Sequence, residues 1–257
     1  MEVVDTRYGK LISSRNDKYL GKGLFKYGEF SEGEVRLFRK IIKPHHVVCD
    51  VGANIGAHTL ALSRIAGCVL SFEPNPTLFN CMAGMIVLND LKNVYAQQAG
   101  ISDKEGAMAY MDIDFDIHNN FGAHHLEKFE GTRGVRVFPL EVPCHFVKID
   151  VEGMEVQVLK GAAPMIRECK PAIYVEADRV DRFEELYSTL KDLGYYAYWH
   201  TPQLFNPDNF YGDKENIFGE IASFNLICST EKVPNWEVAC STVDKHPSVS
   251  GFATLNI

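Results

Sequence analysis

Val47-Val-Cys-Asp-Val-Gly-Ala-Asn-Ile-Gly56 decides the fold of this 257-residue chain. Its first five residues form an apolar, β-branched run of the kind buried on both faces of a sheet. The next five turn sharply on Gly52 and Gly56 and open into an amphipathic segment from about Ile55 to Ile65. Strand, glycine turn and helix in that order begin an α/β unit. The pattern recurs down the chain. Strands are expected at Cys68–Glu73, near Asn93–Ala99, and at Phe146–Val151, Ala172–Glu176, Tyr195–His200 and Ile221–Cys228. Helices are expected after Pro76, over Met154–Glu168 and over Val180–Leu193. This alternation predicts a mostly parallel, seven-stranded α/β sheet with helices on both faces. Only a loop separates the last two strands, so the final strand is expected to run antiparallel.

Residues 1–45 read as an N-terminal extension with a helix near Glu32–Ile42, residues 46–228 as the main domain, and residues 229–257 as a weakly ordered tail. No stretch reaches the roughly 20 apolar residues needed to span a bilayer. The N-terminus lacks the basic and apolar segments of a signal peptide. Seven cysteines are scattered without a Cys-x-x-Cys pair, the usage of reduced thiols in a cytoplasmic protein. The net charge of -8 and the absence of a Lys/Arg run weigh against nucleic acid as a partner. A small-molecule or glycan acceptor is expected, with no membrane partner; a homo-oligomer is left open.

The loop Asp50–Gly56 is the sharpest site signal. Its spacing is Gly-x-x-x-Gly, not the Gly-x-Gly-x-x-Gly of a pyrophosphate cradle, and no Gly-Lys-Ser/Thr follows. A carboxylate suits the helix start that comes next, which fits the methionine end of S-adenosylmethionine held by Asp50, Gly52, Asn54 and Gly56. Glu73 ends the second strand about 20 residues beyond the glycines, where a carboxylate accepts bonds from both ribose hydroxyls. Pro74 and Ile101 are placed against the two faces of the adenine, with Ser102 or Asp103 near its exocyclic amine. A plain turn explains Ser102-Asp103 as readily.

Lys148, Asp150 and Glu152 alternate onto one side of their strand. Three charges in a Val/Ile run are costly to bury unless paired or functional. Asp150 is read as the base or its orienter, with Glu152 or Glu176 holding the acceptor hydroxyl; a structural Lys–Asp pair is the plainer alternative. His200, at a strand end, is the other candidate base, and His118, His124 and His125 lie on a loop over the site. Asp150, Glu152 and Glu176 offer the hard oxygens that suit Mg²⁺ or Ca²⁺, but a metal-free site is preferred. The loop from Trp199 to Gly219, rich in Asn and aromatics, suits sugar rings and equally suits a plain loop.

Asp50-Val-Gly-Ala-Asn-Ile-Gly56, Phe72-Glu-Pro-Asn75, Val147-Lys-Ile-Asp-Val-Glu-Gly-Met-Glu155 and Val158-Leu-Lys-Gly161 together resemble the FkbM family of methyltransferases. The resemblance covers about residues 27 to 228. It implies a class I, Rossmann-like methyltransferase using S-adenosylmethionine for O-methylation of sugars or natural-product hydroxyls. Tyr27-Gly-Glu-Phe-Ser-Glu32 resembles the family's lid segment, which would set Tyr27 or Glu29 over the cofactor. Phe138–Cys144 is shorter than the family's equivalent. The alternatives are a nucleic-acid or protein methyltransferase and a non-catalytic S-adenosylmethionine-binding protein; the glycine spacing disfavours a nicotinamide enzyme.

Overall fold

The computed structural model describes residues 1–122, 126–128, 134–232, 241–242 and 246. The chain opens with a hairpin, β1 (Glu2–Thr6) and β2 (Gly9–Ser13), then α1 (Leu20–Tyr27) and α2 (Glu32–Ile41). Next come β3 (Val47–Val51), α3 (Ala57–Ser63), β4 (Cys68–Phe72), α4 (Pro76–Leu88) and β5 (Val94–Gln97). Four short strands follow: β6 (Gly100–Ile101), β7 (Gly106–Ala109), β8 (Glu127–Lys128) and β9 (Gly134–Phe138). The second half holds β10 (Phe146–Ile149), α5 (Glu155–Cys169), β11 (Ala172–Glu176), α6 (Phe183–Asp192), β12 (Tyr196–His200), β13 (Asn225–Ser229) and β14 (Ser241–Thr242).

The main sheet runs β14-β12-β13-β11-β10-β3-β4-β5. Strands β5, β4, β3, β10 and β11 are parallel. Strand β13 enters antiparallel between β11 and β12. These seven strands form the expected Rossmann-like sheet; the two-residue β14 adds an eighth at the edge. The parallel strands stay together because β3 and β10 are apolar almost throughout and covered on both faces. On one face α5 and α6 pack Val158, Leu159 and Leu190 onto Val147, Ile149 and Trp199. On the other, Phe38 of α2 sits edge-on to Phe146 and Tyr174 at 5.2 and 4.9 Å between ring centres. That contact fixes α2, and with it Glu34, over the carboxyl edge of the sheet.

The β1–β2 hairpin, helix α1 and the side sheet escape the sequence pattern. Helix α1 carries Gly21 and Gly23, which read as turn residues, yet a side chain at Gly21 would lie 2.2 Å from the Ser14 carbonyl oxygen. There the glycine serves close packing. The side sheet, ordered β6-β9-β7-β8, was also not expected. Gly106-Ala-Met-Ala109 has no β-branched residue, although Val135 and Val137 alternate inward in β9. Among the described residues no helix is long and apolar enough to cross a membrane. Cys49, Cys81, Cys144 and Cys228 are buried free thiols. Most of the expected tail, and His124 and His125, lie outside the described residues.

Candidate active site

The carboxyl ends of β3, β4, β10 and β11 open onto a cavity. Its first wall is local in sequence. Gly52 adopts φ +80°, and a Cβ there would fall 1.8 Å from the Asp150 carbonyl oxygen, so only glycine permits the turn. The Gly52 and Ala53 amides both donate to the Phe72 carbonyl at 3.0 Å, stitching the turn to the end of β4. Asn54, also left-handed at φ 54°, donates its amide to Glu73 Oε2 at 2.8 Å; the Asn75 amide donates to Oε1 at 2.8 Å. Burial pushes the Glu73 carboxyl up to about 7, against the pull of those two amides. Phe72, Pro74, Ile101 and Leu126 supply apolar surface beside it.

The second wall is acidic. Lys148 exposes only 3% of its side chain, and its Nζ lies 3.1 Å from Asp150 Oδ2 and 3.5 Å from Asp50 Oδ1. Burial works against the ammonium, but Asp150, Asp50 and Glu34 outweigh it and keep Lys148 charged. Arg179 Nη2 donates to Glu152 Oε2 at 3.0 Å. Burial, then the charges of Asp150 and Asp178, lifts Glu152 to about 8. Burial with Asp150 and Glu152 raises Glu176 well above the usual carboxylate range, and its Oε2 is buried with no hydrogen-bond partner. Asp178 rises to about 6, mainly through burial. The Glu152 and Asp178 carboxyls therefore titrate around neutrality. Asp150, Glu152 and Glu176 each place an oxygen within 4.8 Å of the others, a spacing that accommodates a cation. Asp150 and Glu152 each already have a side-chain cation.

The third wall comes from outside the sheet core and contains residues the sequence reading passed over. His58 Nε2 lies 3.2 Å from Glu34 Oε2, the two side chains 13% and 6% exposed. Asn225 Nδ2 donates to Glu34 Oε1 at 3.3 Å. Tyr19, Leu20, Phe30, Ser31, Leu204 and Ser223 complete this side, with Asn120 and Gly122 above. A histidine two residues past Gly56, and an acid on the apolar side of α2, were the available signals.

The structure corrects several expected positions. Asp50 is wholly buried beneath the cavity, where Thr59 Oγ1 donates to its Oδ2 at 2.7 Å; its charge serves Lys148. Gly56 faces Met82 and Met85 rather than the cavity. Ser102 is buried, its amide donating to the Phe138 carbonyl, and with Asp103 borders a separate groove. Tyr27 is turned away: its hydroxyl donates to the Glu215 carbonyl at 2.8 Å and its ring packs on Phe205 and Phe218. Glu29 accepts from Arg7 Nε and from Asn206 Nδ2, each at 2.7 Å. Both residues fasten the N-terminal segment to the 201–224 loop. His200 is buried behind Tyr174, whose hydroxyl meets its Nδ1 at 2.9 Å, and burial lowers its pKa. The antiparallel entry of β13 moves the end of β12 one strand further from the cavity. His118 is exposed and off the wall. Gly52, Asn54, Glu73, Pro74, Ile101, Lys148, Asp150, Glu152 and Glu176 do meet around one space.

Fold and cavity define a Rossmann-like methyltransferase domain. The chain belongs to the FkbM methyltransferase domain family, whose pattern it matches over residues 50–196. It is 34% identical over 141 residues to the hexuronic acid methyltransferase AglP of Haloferax volcanii, a stretch covering 49% of this chain and 54% of that protein. It is 27% identical over 142 residues to Methyltransferase 1 of Beauveria bassiana, covering 44% of this chain and 57% of that one. The chain spans about half the length of these relatives. Among solved structures, the precorrin-6y C5,15-methyltransferase of Geobacter metallireducens aligns with a TM-score of 0.51 at 13% identity, covering 77% of this chain and 86% of its own. That likeness concerns the fold. The FkbM methyltransferase of Methylobacillus flagellatus aligns with a TM-score of 0.48 at 16% identity, over 84% of this chain and 48% of its own.

Proposed function

We propose that this chain transfers a methyl group from S-adenosylmethionine to a hydroxyl of a sugar or related small molecule. The observation that carries the reading is Glu73, a buried carboxylate at the end of β4 on the cavity wall, beside apolar Pro74 and Ile101 and directly across from the Gly52 turn. A carboxyl next to flat apolar surface is the chemistry that a ribose diol and an adenine require. Gly52, Asn54, Glu73, Pro74 and Ile101 would hold the cofactor; when bound it supplies an electrophilic methyl on sulfur.

The acidic wall suits the acceptor. Lys148 fixes Asp150 at the cavity floor. Glu152, its carboxyl lifted to about 8, can donate as well as accept hydrogen bonds, and burial pushes Glu176 in the same direction. Such a wall matches the hydroxyl groups of a sugar. The named activity of AglP on a hexuronic acid supports the same acceptor class. Orienting acceptor and donor supplies up to roughly 7–11 kcal/mol of barrier lowering in favourable cases.

Calorimetry with S-adenosylhomocysteine tests the first half of the reading: a one-to-one binding heat is expected, and its absence overturns it. Release of S-adenosylhomocysteine in the presence of a sugar panel tests the second half. Turnover on an oligonucleotide or protein in place of every sugar would reassign the acceptor.

A further inference from the structure

A second groove adjoins the cavity. The two share Leu126, Glu152 and Met154, so Glu152 stands between them. The groove's other walls are the turn after β6, residues 102–105, and the starts of α5 and α6 with Arg179 and Arg182.

The two spaces differ in charge. On the cavity wall Lys148 is the only lysine or arginine among the described residues, and Asp150 and Asp50 already hold it. An anion entering there finds no free cation. In the groove, Arg182 donates from Nη1 to the Gly153 carbonyl at 3.2 Å and has no carboxylate partner among the described residues. Arg179 gives Nη2 to Glu152 Oε2 at 3.0 Å, while its Nε is buried with no hydrogen-bond partner, as is Oε1 of Gln157 on the same groove. Buried polar atoms that a chain leaves unsatisfied call for an explanation. The acids of the groove are already engaged. Glu105 pairs with Arg136 at 2.9 Å, and Asp103 accepts from the Ser102 hydroxyl at 3.3 Å. Burial and Asp150 lift Glu152 to about 8, which spares an anion beside it most of the repulsion of a charged carboxylate at neutral pH. Helices α5 and α6 both begin here, and neither has a side-chain hydrogen bond at its N-cap. Their dipoles favour negative charge at that end.

We propose that this groove holds an anionic group of the acceptor, a carboxylate or a phosphate, on Arg182 and Arg179, while the hydroxyl to be methylated reaches the cavity past Glu152. The proposal names the acceptor class, an acidic sugar, and rests on the methyltransferase reading above. No bond is made or broken in the groove. Guanidinium groups grip a planar or tetrahedral anion in a fixed orientation, so the choice of hydroxyl is set from outside the cavity. A neutral sugar fits the cavity but lacks that anchor.

The test is calorimetry on the full chain saturated with S-adenosylhomocysteine, with methyl β-D-glucuronide, glucose 6-phosphate and the neutral methyl β-D-glucoside as probes. At least one charged probe should bind about tenfold more tightly than the glucoside, the size expected of charge-assisted bonds to guanidinium. The tighter of the two charged probes tells carboxylate from phosphate. R182Q should abolish the preference and R182K should keep part of it, both still binding S-adenosylhomocysteine as the sign of an intact fold. Equal affinity for all the probes, or an undiminished preference in R182Q, overturns the proposal. If the wild-type chain gives no heat with S-adenosylhomocysteine, it is the methyltransferase reading that falls; the same comparison of probes in the unliganded chain still decides the groove.

Discussion

At the β3–β4 end of the cavity, the wall residues Gly52, Asn54, Glu73 and Pro74 follow one another within a single βαβ unit and are joined mainly by backbone hydrogen bonds. At the β10–β11 end, Glu34, His58, Lys148, Asp150, Glu176 and Asn225 arrive from five places in the chain, and ion pairs between side chains hold several of them. The first end is set by local conformation, so a few residue types at fixed spacing suffice. The second is set by packing: a partner changes whenever an element shifts. A constant first wall beside a variable second wall is what this division of labour favours.

The strongest way to break the contrast is Lys148→Met. It leaves Asp50 buried with no cation and should cost about 3–5 kcal/mol in denaturant unfolding; unchanged stability would mean that the acidic wall does not depend on the ion pairs. Gly52→Ala comes next, combining a positive φ with a Cβ driven against the Asp150 carbonyl. The expected loss is about 2–4 kcal/mol, read by the same unfolding curves, because one residue joins the two ends.

Glu73 gives a smaller, pH-dependent effect. Its carboxyl is raised from 4.5 to about 7 in the folded chain, so the native state binds more protons than the unfolded state between those values. The resulting penalty is absent below the unfolded value, grows as pH rises through the window and is complete above about 7. Glu73→Gln should therefore gain about 1–3 kcal/mol relative to wild type between pH 5 and pH 8. The same change should weaken S-adenosylhomocysteine binding at least tenfold, about 1.4 kcal/mol. A parallel pH dependence in the two proteins, or equal affinity, would remove Glu73 from its assigned place. The smallest effect is expected from Mg²⁺: because Lys148 and Arg179 already serve Asp150 and Glu152, saturating Mg²⁺ should leave the Tm unchanged. A concentration-dependent rise would place an ion on the acidic trio.

Legibility followed the same division. The apolar runs of β3, β4, β10 and β11, and the glycine turn, carry their conformation in their own composition, and so did Glu73 at a strand end. Tyr27, Glu29 and His200 also lay at plausible ends of elements, yet long-range partners turned them away: Glu215 for Tyr27, Arg7 and Asn206 for Glu29, and Tyr174 for His200. Asp50 looked like a ligand contact because a charge after an apolar run invites that reading; its partner Lys148 is almost a hundred residues away. Glu34 and His58 are ordinary residues of amphipathic helices until α2 is laid over the sheet by Phe38.

The fastening of the N-terminal segment to the 201–224 loop carries an evolutionary constraint. Arg7, Glu29, Asn206 and the Asp208 carbonyl interlock so that neither stretch is satisfied alone. A hybrid inheriting one stretch from a sister protein would strand a buried carboxylate. The two are thus expected to travel through descent as a single cassette, diversifying jointly while the glycine-turn wall between them stays fixed.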